Sequence, residues 1–200
     1  ELREYEQARR NYQQALNICI EYGDRYSQAK IYHGLGMVAQ ELREYEQARR
    51  NYQQALNIQI EYGDRYYQAK TYHQLGTVAQ DLREYEEAKR NYQQALNIFI
   101  EYGDLYSQAR TYHQLGIVAD ELREYEEARC NYQQALNINI EYGDRYSQAR
   151  TYYQLGLLAE AEENYPEARA NLQTALEIFV EYQDEYRAAM TQKILDKLPD

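Results

Sequence analysis

Between residues 24 and 63 the apolar and aromatic positions fall at helical spacing. Ala29, Tyr32, Leu35, Gly36 and Ala39 recur at intervals of three and four, the signature of one helix face. A second periodic run holds Tyr45, Ala48, Tyr52, Ala55, Leu56 and Ile60. Asp24 precedes the first run and suits an N-cap. Gly63 follows the second and suits the left-handed residue that closes a helix. Gly-Asp recurs at Gly23-Asp24, Gly63-Asp64, Gly103-Asp104 and Gly143-Asp144. Each pair ends one helix and opens the next within two residues, so neighbouring helices run antiparallel.

The turn inside each unit is less marked. Leu42-Arg43-Glu44 has neither Gly nor Pro, and the run from Tyr26 to Tyr62 reads equally as one long helix. The last unit decides it. There the segment is Asn164-Tyr165-Pro166, in which Asn caps and Pro fits a first helical turn. Helices are therefore expected at roughly 4–22, 25–41, 45–62, 65–81, 85–102, 105–121, 125–142, 145–161, 165–182 and 185–197.

The chain is a tandem repeat. Residues 1–40 and 41–80 differ only at positions 19, 27, 31, 34 and 37 and their partners, and the pattern continues from Asp81 and Glu121. Such units bury their apolar faces against one another, so one elongated all-α domain is expected. It divides into a half repeat at 1–23, full repeats at 24–63, 64–103, 104–143 and 144–183, and a capping helix at 184–200. The chain starts inside a repeat without Met, and is expected to be a fragment of a longer protein.

These residues match the tetratricopeptide signature, W-x-x-L-G-x-x-Y followed by A-x-x-x-F and P. Here it reads Tyr32, Leu35, Gly36, Ala39, then Ala48, Tyr52 and Ala55; it recurs at Tyr72, Leu75, Gly76, Ala88, Tyr92, at Tyr112, Leu115, Gly116, Ala128, Tyr132, and at Tyr152, Leu155, Gly156, Ala168, Leu172. Tyr replaces Trp, Ala39 replaces the aromatic, and the closing Pro is absent, in keeping with a longer second helix. The 40-residue unit resembles the repeats of LGN/Pins adaptors and kinesin light chains, and those of bacterial signalling ATPases and peptide-sensing regulators. The resemblance implies a right-handed α-solenoid of antiparallel helix pairs, whose first helices line a concave ligand groove.

Composition narrows the function. With 33 acidic and 22 basic residues the net charge is -11, and nucleic acid, which needs a dense Lys/Arg surface, is not an expected partner. No apolar run approaches the roughly 18 residues of a membrane span, and no targeting segment is recognised. Cys19 and Cys130 stand at non-equivalent places and form no framework, so a reducing, cytoplasmic compartment is expected. The 25 tyrosines fall mostly at fixed repeat offsets, where they serve as packing residues with the hydroxyl at the wet edge. A metal ladder through His33, His73 and His113 fails on distance. Equivalent residues on neighbouring repeats lie roughly 10 Å apart, against zinc–nitrogen bonds of about 2.0–2.1 Å. No nucleophile–base pair, phosphate loop or carboxylate dyad is recognisable, so neither an enzyme nor a cofactor is expected.

The other face of each first helix is the expected ligand surface. Lys30, Lys70, Arg110 and Arg150 form a basic row; His33, His73, His113 and Tyr153 form a second. Gln74, Gln114 and Gln154 answer to Gly34, and Met37, Thr77, Ile117 and Leu157 are equivalent. Gln has a donor and an acceptor, so the Gln row is expected to grip an extended main chain, three residues per repeat at about 3.3 Å each. The basic row implies an acidic ligand or a C-terminal carboxylate. The position of Cys19, Gln59, Phe99, Asn139 and Phe179 is read as packing, with polar residues tolerated where they reach solvent. The first reading is thus a protein- or peptide-binding scaffold. Others are a sensor array of a larger signalling ATPase or regulator, and an idealised repeat protein without a ligand.

Both ends carry expectations. Ala8, Tyr12, Ala15, Leu16 and Cys19 form a stripe on the first helix that the next unit covers only in part, favouring self-association there. Tyr186, Ala189, Met190, Ile194 and Leu195 are expected to form the apolar face of a C-terminal cap, followed by a polar ending at Asp196–Asp200.

Overall fold

A computed structural model describes residues 2–199. Ten α-helices account for the secondary structure of the described residues: α1 (Leu2–Glu21), α2 (Arg25–Glu41), α3 (Tyr45–Glu61), α4 (Arg65–Asp81), α5 (Tyr85–Glu101), α6 (Leu105–Glu121), α7 (Tyr125–Tyr142), α8 (Arg145–Ala161), α9 (Tyr165–Glu181) and α10 (Glu185–Leu195). The chain falls into two compact units divided after Gly103, the first with α1–α5 and the second with α6–α10. Within each, first and second helices of a repeat pack as hairpins: α2 with α3, α4 with α5, α6 with α7, α8 with α9. The fold is the all-α solenoid of helix pairs that the periodicity predicts.

The two kinds of turn share one geometry. At Gly63 the chain turns left-handed (φ 67°); the Gly63 N–H donates to Ile60 and the Asp64 N–H to Gln59. At Arg43 (φ 59°) the Arg43 N–H donates to Gln40 and the Glu44 N–H to Ala39. Both are Schellman closures. The inner turn is hard to read because Arg43, Arg83, Arg123 and Glu163 hold the place that Gly holds in the first four outer turns; in the last outer turn Gln183 takes it.

Helix starts differ as well. The carboxylates of Asp24, Asp104 and Asp144 each accept the N–H three residues on at 3.0 Å. Tyr26 donates to Asp64 at 2.8 Å and Tyr146 to Asp184 at 2.7 Å, so the capping aspartate also ties one repeat to the next. Asn164 occupies an N-cap position without capping. Its amide donates instead to Glu167 at 2.7 Å, and the expected side-chain cap is corrected.

Core packing explains the helical glycines. A Cβ on Gly36, Gly76 or Gly116 would stand 2.5–2.7 Å from the ring of Tyr52, Tyr92 or Tyr132. Those rings are fully buried, each worth about 1.5–3 kcal/mol of apolar burial. Their hydroxyls do not reach the wet edge. Tyr52 donates to Gln40 at 3.1 Å and Tyr92 to Gln80 at 2.9 Å. The variable place on the second helices is a packing position, with Phe99 and Phe179 buried and edge-on to Tyr66 and Tyr146. Gln59 there does not reach solvent either. It is 2% exposed and its Oε1 lacks a partner.

The ends depart from expectation in detail. Leu16 is buried, whereas Tyr12 is 37% exposed and lies over Gly34. Ile18 is 55% exposed, while its equivalents Ile58 and Ile98 are buried. On α10 the inward face is Thr191, Ile194 and Leu195, and Leu198 joins the same core. Tyr186, Ala189 and Met190 are exposed, so the expected cap face is rotated and the tail is not wholly polar.

Candidate functional site

The helical repeat that buries Leu75, Gly76 and Ala79 turns positions 70, 74 and 77 to the opposite side of the first helix. Three of the four basic-row residues rest on a tyrosine of their own helix, four residues back: Lys30 on Tyr26 (4.9 Å), Lys70 on Tyr66 (4.6 Å) and Arg110 on Tyr106 (5.8 Å). These are cation–π contacts. Arg150 makes no hydrogen bond or ion pair among the described residues. Its pKa is lowered by burial, then by Arg187 and Arg110, with Tyr146 and Asp144 acting in the opposite sense.

Two of the histidines are buried and His33 is half-buried. His73 and His113 are buried, because the ring at this place lies against the second-helix tyrosine. The centroid distances are 5.3 Å for His33–Tyr52, 5.2 Å for His73–Tyr92 and 5.8 Å for His113–Tyr132. Nδ1 of His33 pairs with Thr71 Oγ1 at 3.0 Å, and that of His113 with Thr151 Oγ1 at 3.2 Å. Burial lowers the pKa of His33, with Lys70 adding to it, and pushes His113 down to about 3, with Arg150 adding. His33 and His113 thus each join one repeat to the next, and His73 packs on the tyrosine of its own repeat. Thr77 is engaged too: its hydroxyl donates to the His73 carbonyl at 3.1 Å and lies 3.2 Å from the Tyr92 hydroxyl.

Of the Gln row, Gln74 donates to the Tyr52 hydroxyl at 3.4 Å; Gln114 and Gln154 are half-buried. Met37 is 49% exposed, and Ile117 and Leu157 are half-buried. In the second unit the rows converge. His113, Ile117, Arg150, Tyr153 and Gln154 line one cavity of about 290 Å³. The rest of its wall is Phe179 of α9 and Tyr186, Arg187 and Met190 of α10. No carboxylate lines it. A wider depression of about 690 Å³ in the first unit mixes charges of both signs, with Arg9 paired to Glu44 at 2.7 Å.

The tetratricopeptide repeat family matches residues 1–61 and 67–141, and a second tetratricopeptide repeat family matches 149–179. The chain is a tetratricopeptide repeat protein. Solved structures agree on the fold. The apo form of RapI superposes with a TM-score of 0.84 at 22% identity, over 90% of this chain and 66% of that one. A signal transduction ATPase with a tetratricopeptide repeat sensor from Pyrococcus horikoshii gives 0.80 at 21%, over 90% and 28%. A Rap protein complexed with competence and sporulation factor gives 0.70 at 20%, over 84% and 47%. The tetratricopeptide chain thus spans less than two thirds of each of these. No curated protein sequence matches it.

Sequence reasoning missed the contribution of α10 to this tetratricopeptide face. The signal was present. Asp184, Thr191 and Leu195 stand 40 residues after Asp144, Thr151 and Leu155, which makes α10 the first helix of a further unit. Among the described residues no group of three His, Cys, Asp or Glu side chains is placed to hold a metal ion. None of the described helices is long and apolar enough to cross a membrane.

Proposed function

We propose that this tetratricopeptide chain is a non-enzymatic scaffold that holds an extended, acidic segment of another protein against its first-helix faces. The observation that carries the reading is Arg150, a guanidinium with no close ion pair among the described residues, Asp144 acting on it only at a distance, in a cavity whose lining has no carboxylate, inside a chain of net charge -11. An acidic ligand supplies the missing charge. Gln114 and Gln154 flank the same path with amide donors and acceptors for a main chain, and Met37, Ile117, Leu157 and Tyr153 read side chains. His113 is part of the cavity wall beside Arg150, while His33 and His73 pack against their second-helix tyrosines. The free thiols of Cys19 and Cys130 suit a reducing compartment.

The test is selection from a displayed library of random linear peptides. Enrichment of acidic sequences that Arg150→Gln releases by about tenfold supports the reading. Selection of neutral or basic sequences, indifferent to Arg150, would refute it. The double variant Gln74→Ala with Gln114→Ala is expected to weaken the selected peptides without unfolding the chain, and unchanged affinity in calorimetry sinks the amide row.

A second reading is a sensor array within a larger signalling ATPase. It is favoured by the likeness to the sensor of the Pyrococcus horikoshii ATPase, of which this chain spans 28%. It predicts that the peptide-bound array alters nucleotide hydrolysis when joined to such a parent chain. Equal hydrolysis with and without peptide argues against it.

A further inference from the structure

We infer that the outer edge of the second unit, where the start of α6 meets the end of α7 and the end of α9 follows, docks a proline-rich segment of another protein in the polyproline II conformation, with a basic residue of that segment on Glu141. This edge shares no residue with the cavity around Arg150, and the inference stands independently of the acidic-ligand reading.

The first support is a row of apolar groups in water. Ile140 and Val180 are 52% and 62% exposed, and Tyr142 and Tyr182 are 61% and 48% exposed. The last full repeat exchanges Tyr132 for Leu172, Asn137 for Glu177 and Asn139 for Phe179, yet it keeps a β-branched apolar residue and a tyrosine at these two places. Packing inside the fold does not ask for them, since about half of each side chain is in water. Apolar groups exposed in a row mark an interaction surface.

The second support is that one repeat leaves this edge open. Elsewhere the edge closes on itself. Arg25 pairs with Glu61 at 2.9 Å, Arg65 with Glu101 at 3.0 Å and Arg145 with Glu181 at 2.9 Å. The rings of Tyr26 and Tyr62, Tyr66 and Tyr102, and Tyr146 and Tyr182 lie 5.4–5.6 Å apart. In the α6–α7 hairpin the arginine is replaced by Leu105. There Glu141 has no ion pair and Tyr142 no ring contact among the described residues. The Tyr106 hydroxyl also lacks the bond that Tyr26 makes to Asp64, because Asp144 gives its two oxygens to the N–H and the hydroxyl of Ser147, at 3.0 and 2.7 Å. Tyr106 is 53% exposed, with Arg110 against one face of its ring. Two open rings and a leucine thus stand beside one unpaired carboxylate.

The third support is spacing. A polyproline II helix has three residues per turn at about 3.1 Å each, so a proline at every third place recurs at about 9 Å. Tyr142 and Tyr182 are equivalent residues of neighbouring repeats, set roughly 10 Å apart by helix packing. Proline-rich segments dock on surfaces lined by aromatic rings. Their carbonyls make no internal hydrogen bonds and accept from tyrosine hydroxyls such as that of Tyr106. A partner helix suits this edge less, because it lays down a continuous apolar stripe and the Arg145–Glu181 ion pair breaks that stripe beside Tyr182. A partner strand finds no strand edge to extend, since the described residues form helices and turns. The unpaired Glu141, in a chain of net charge -11, selects a segment that carries a cation.

The probe is a fluorescein-labelled peptide amide of one arginine followed by eight prolines, titrated with the chain and followed by anisotropy. The controls replace the arginine by glutamate, or the prolines by alternating glycine and serine. The arginine–proline peptide is expected to bind saturably, and at least about tenfold more tightly than the glycine–serine control. Tyr142→Ala and Leu105→Arg are each expected to weaken it by about tenfold. Leu105→Arg installs the residue of the other repeats, so its circular dichroism is expected to match the wild type. Glu141→Gln is expected to abolish the preference for the arginine peptide over the glutamate peptide. Equal binding of the proline and glycine–serine peptides, or binding unchanged by Leu105→Arg, overturns the inference. Absence of binding overturns it too; a dimer in light scattering that Leu105→Arg dissolves would then assign the edge to a second copy of the chain. Arg150→Gln is expected to leave the arginine–proline peptide bound as before, so failure here and failure of the acidic-ligand reading are told apart.

Discussion

The hydroxyl of Tyr92 donates to Oε1 of Gln80 at 2.9 Å, joining the second helix of a repeat to the end of its first. Tyr52 and Gln40 form the same bond at 3.1 Å. In the next repeat Asp120 stands where the Gln stood and Ile117 where Thr77 stood, and the buried Tyr132 hydroxyl has no partner. Burial raises the pKa of Asp120, and Glu121 and Glu162 raise it further.

Asp120→Gln is expected to restore the bond and stabilise the chain by about 1–2 kcal/mol in urea unfolding. Because the folded state holds the Asp120 proton more tightly than the unfolded state, the wild type gains stability from this group as pH falls through the acid range. The variant lacks that gain. An unchanged midpoint at neutral pH would show that Tyr132 is satisfied by water.

His113 provides a pH dependence of opposite sign. Its pKa is pushed down to about 3 by burial and then Arg150, so the folded state keeps it neutral. Its contribution is present above the unfolded value of about 6.5 and lost as pH falls below it, at up to about 1.4 kcal/mol per pH unit. Unfolding curves measured from neutral pH downward should show this slope, and His113→Gln should flatten it.

Gly76→Ala sets helix propensity against packing. Alanine gains about 1 kcal/mol in a helix interior, but its Cβ would stand 2.7 Å from Cδ1 of the fully buried Tyr92. Overpacking of this kind costs about 1–3 kcal/mol. The variant is expected to be less stable by about 1 kcal/mol in thermal melts, and a stabilised variant would mean that the tyrosine can shift.

The paired turns give a matched comparison. Gly63 and Arg83 share a left-handed backbone, at φ 67° and 62°. Gly63→Ala is expected to destabilise by about 1 kcal/mol, since the added Cβ meets no atom and the cost is conformational alone. Arg83→Gly is expected to stabilise by a similar amount, because it reverses both the native strain and the change in unfolded-chain freedom. A destabilised Arg83→Gly variant would show that the Arg83 side chain makes contacts worth more than the strain.

The repeat, the helix pairing and the core positions were legible in the sequence, because a 40-residue period and a three-and-four spacing are one-dimensional signals of burial. Asp24, Gly63, Leu35 and Ala48 act locally or against an identical neighbour, so their roles follow from type and spacing. Tertiary structure alone decided which polar residues are spoken for. His73 and Thr77 lie on the outward side of a helix by periodicity, yet a tyrosine ring and its hydroxyl from the second helix enclose them. The isolation of Arg150 was equally invisible. It differs from Arg110 not in its own identity but in what packs around it: Arg110 has the ring of Tyr106 beneath it, while Arg150 faces a second guanidinium from α10. Charge and hydrogen-bond balance depend on distances between helices, and a linear pattern carries no such distances.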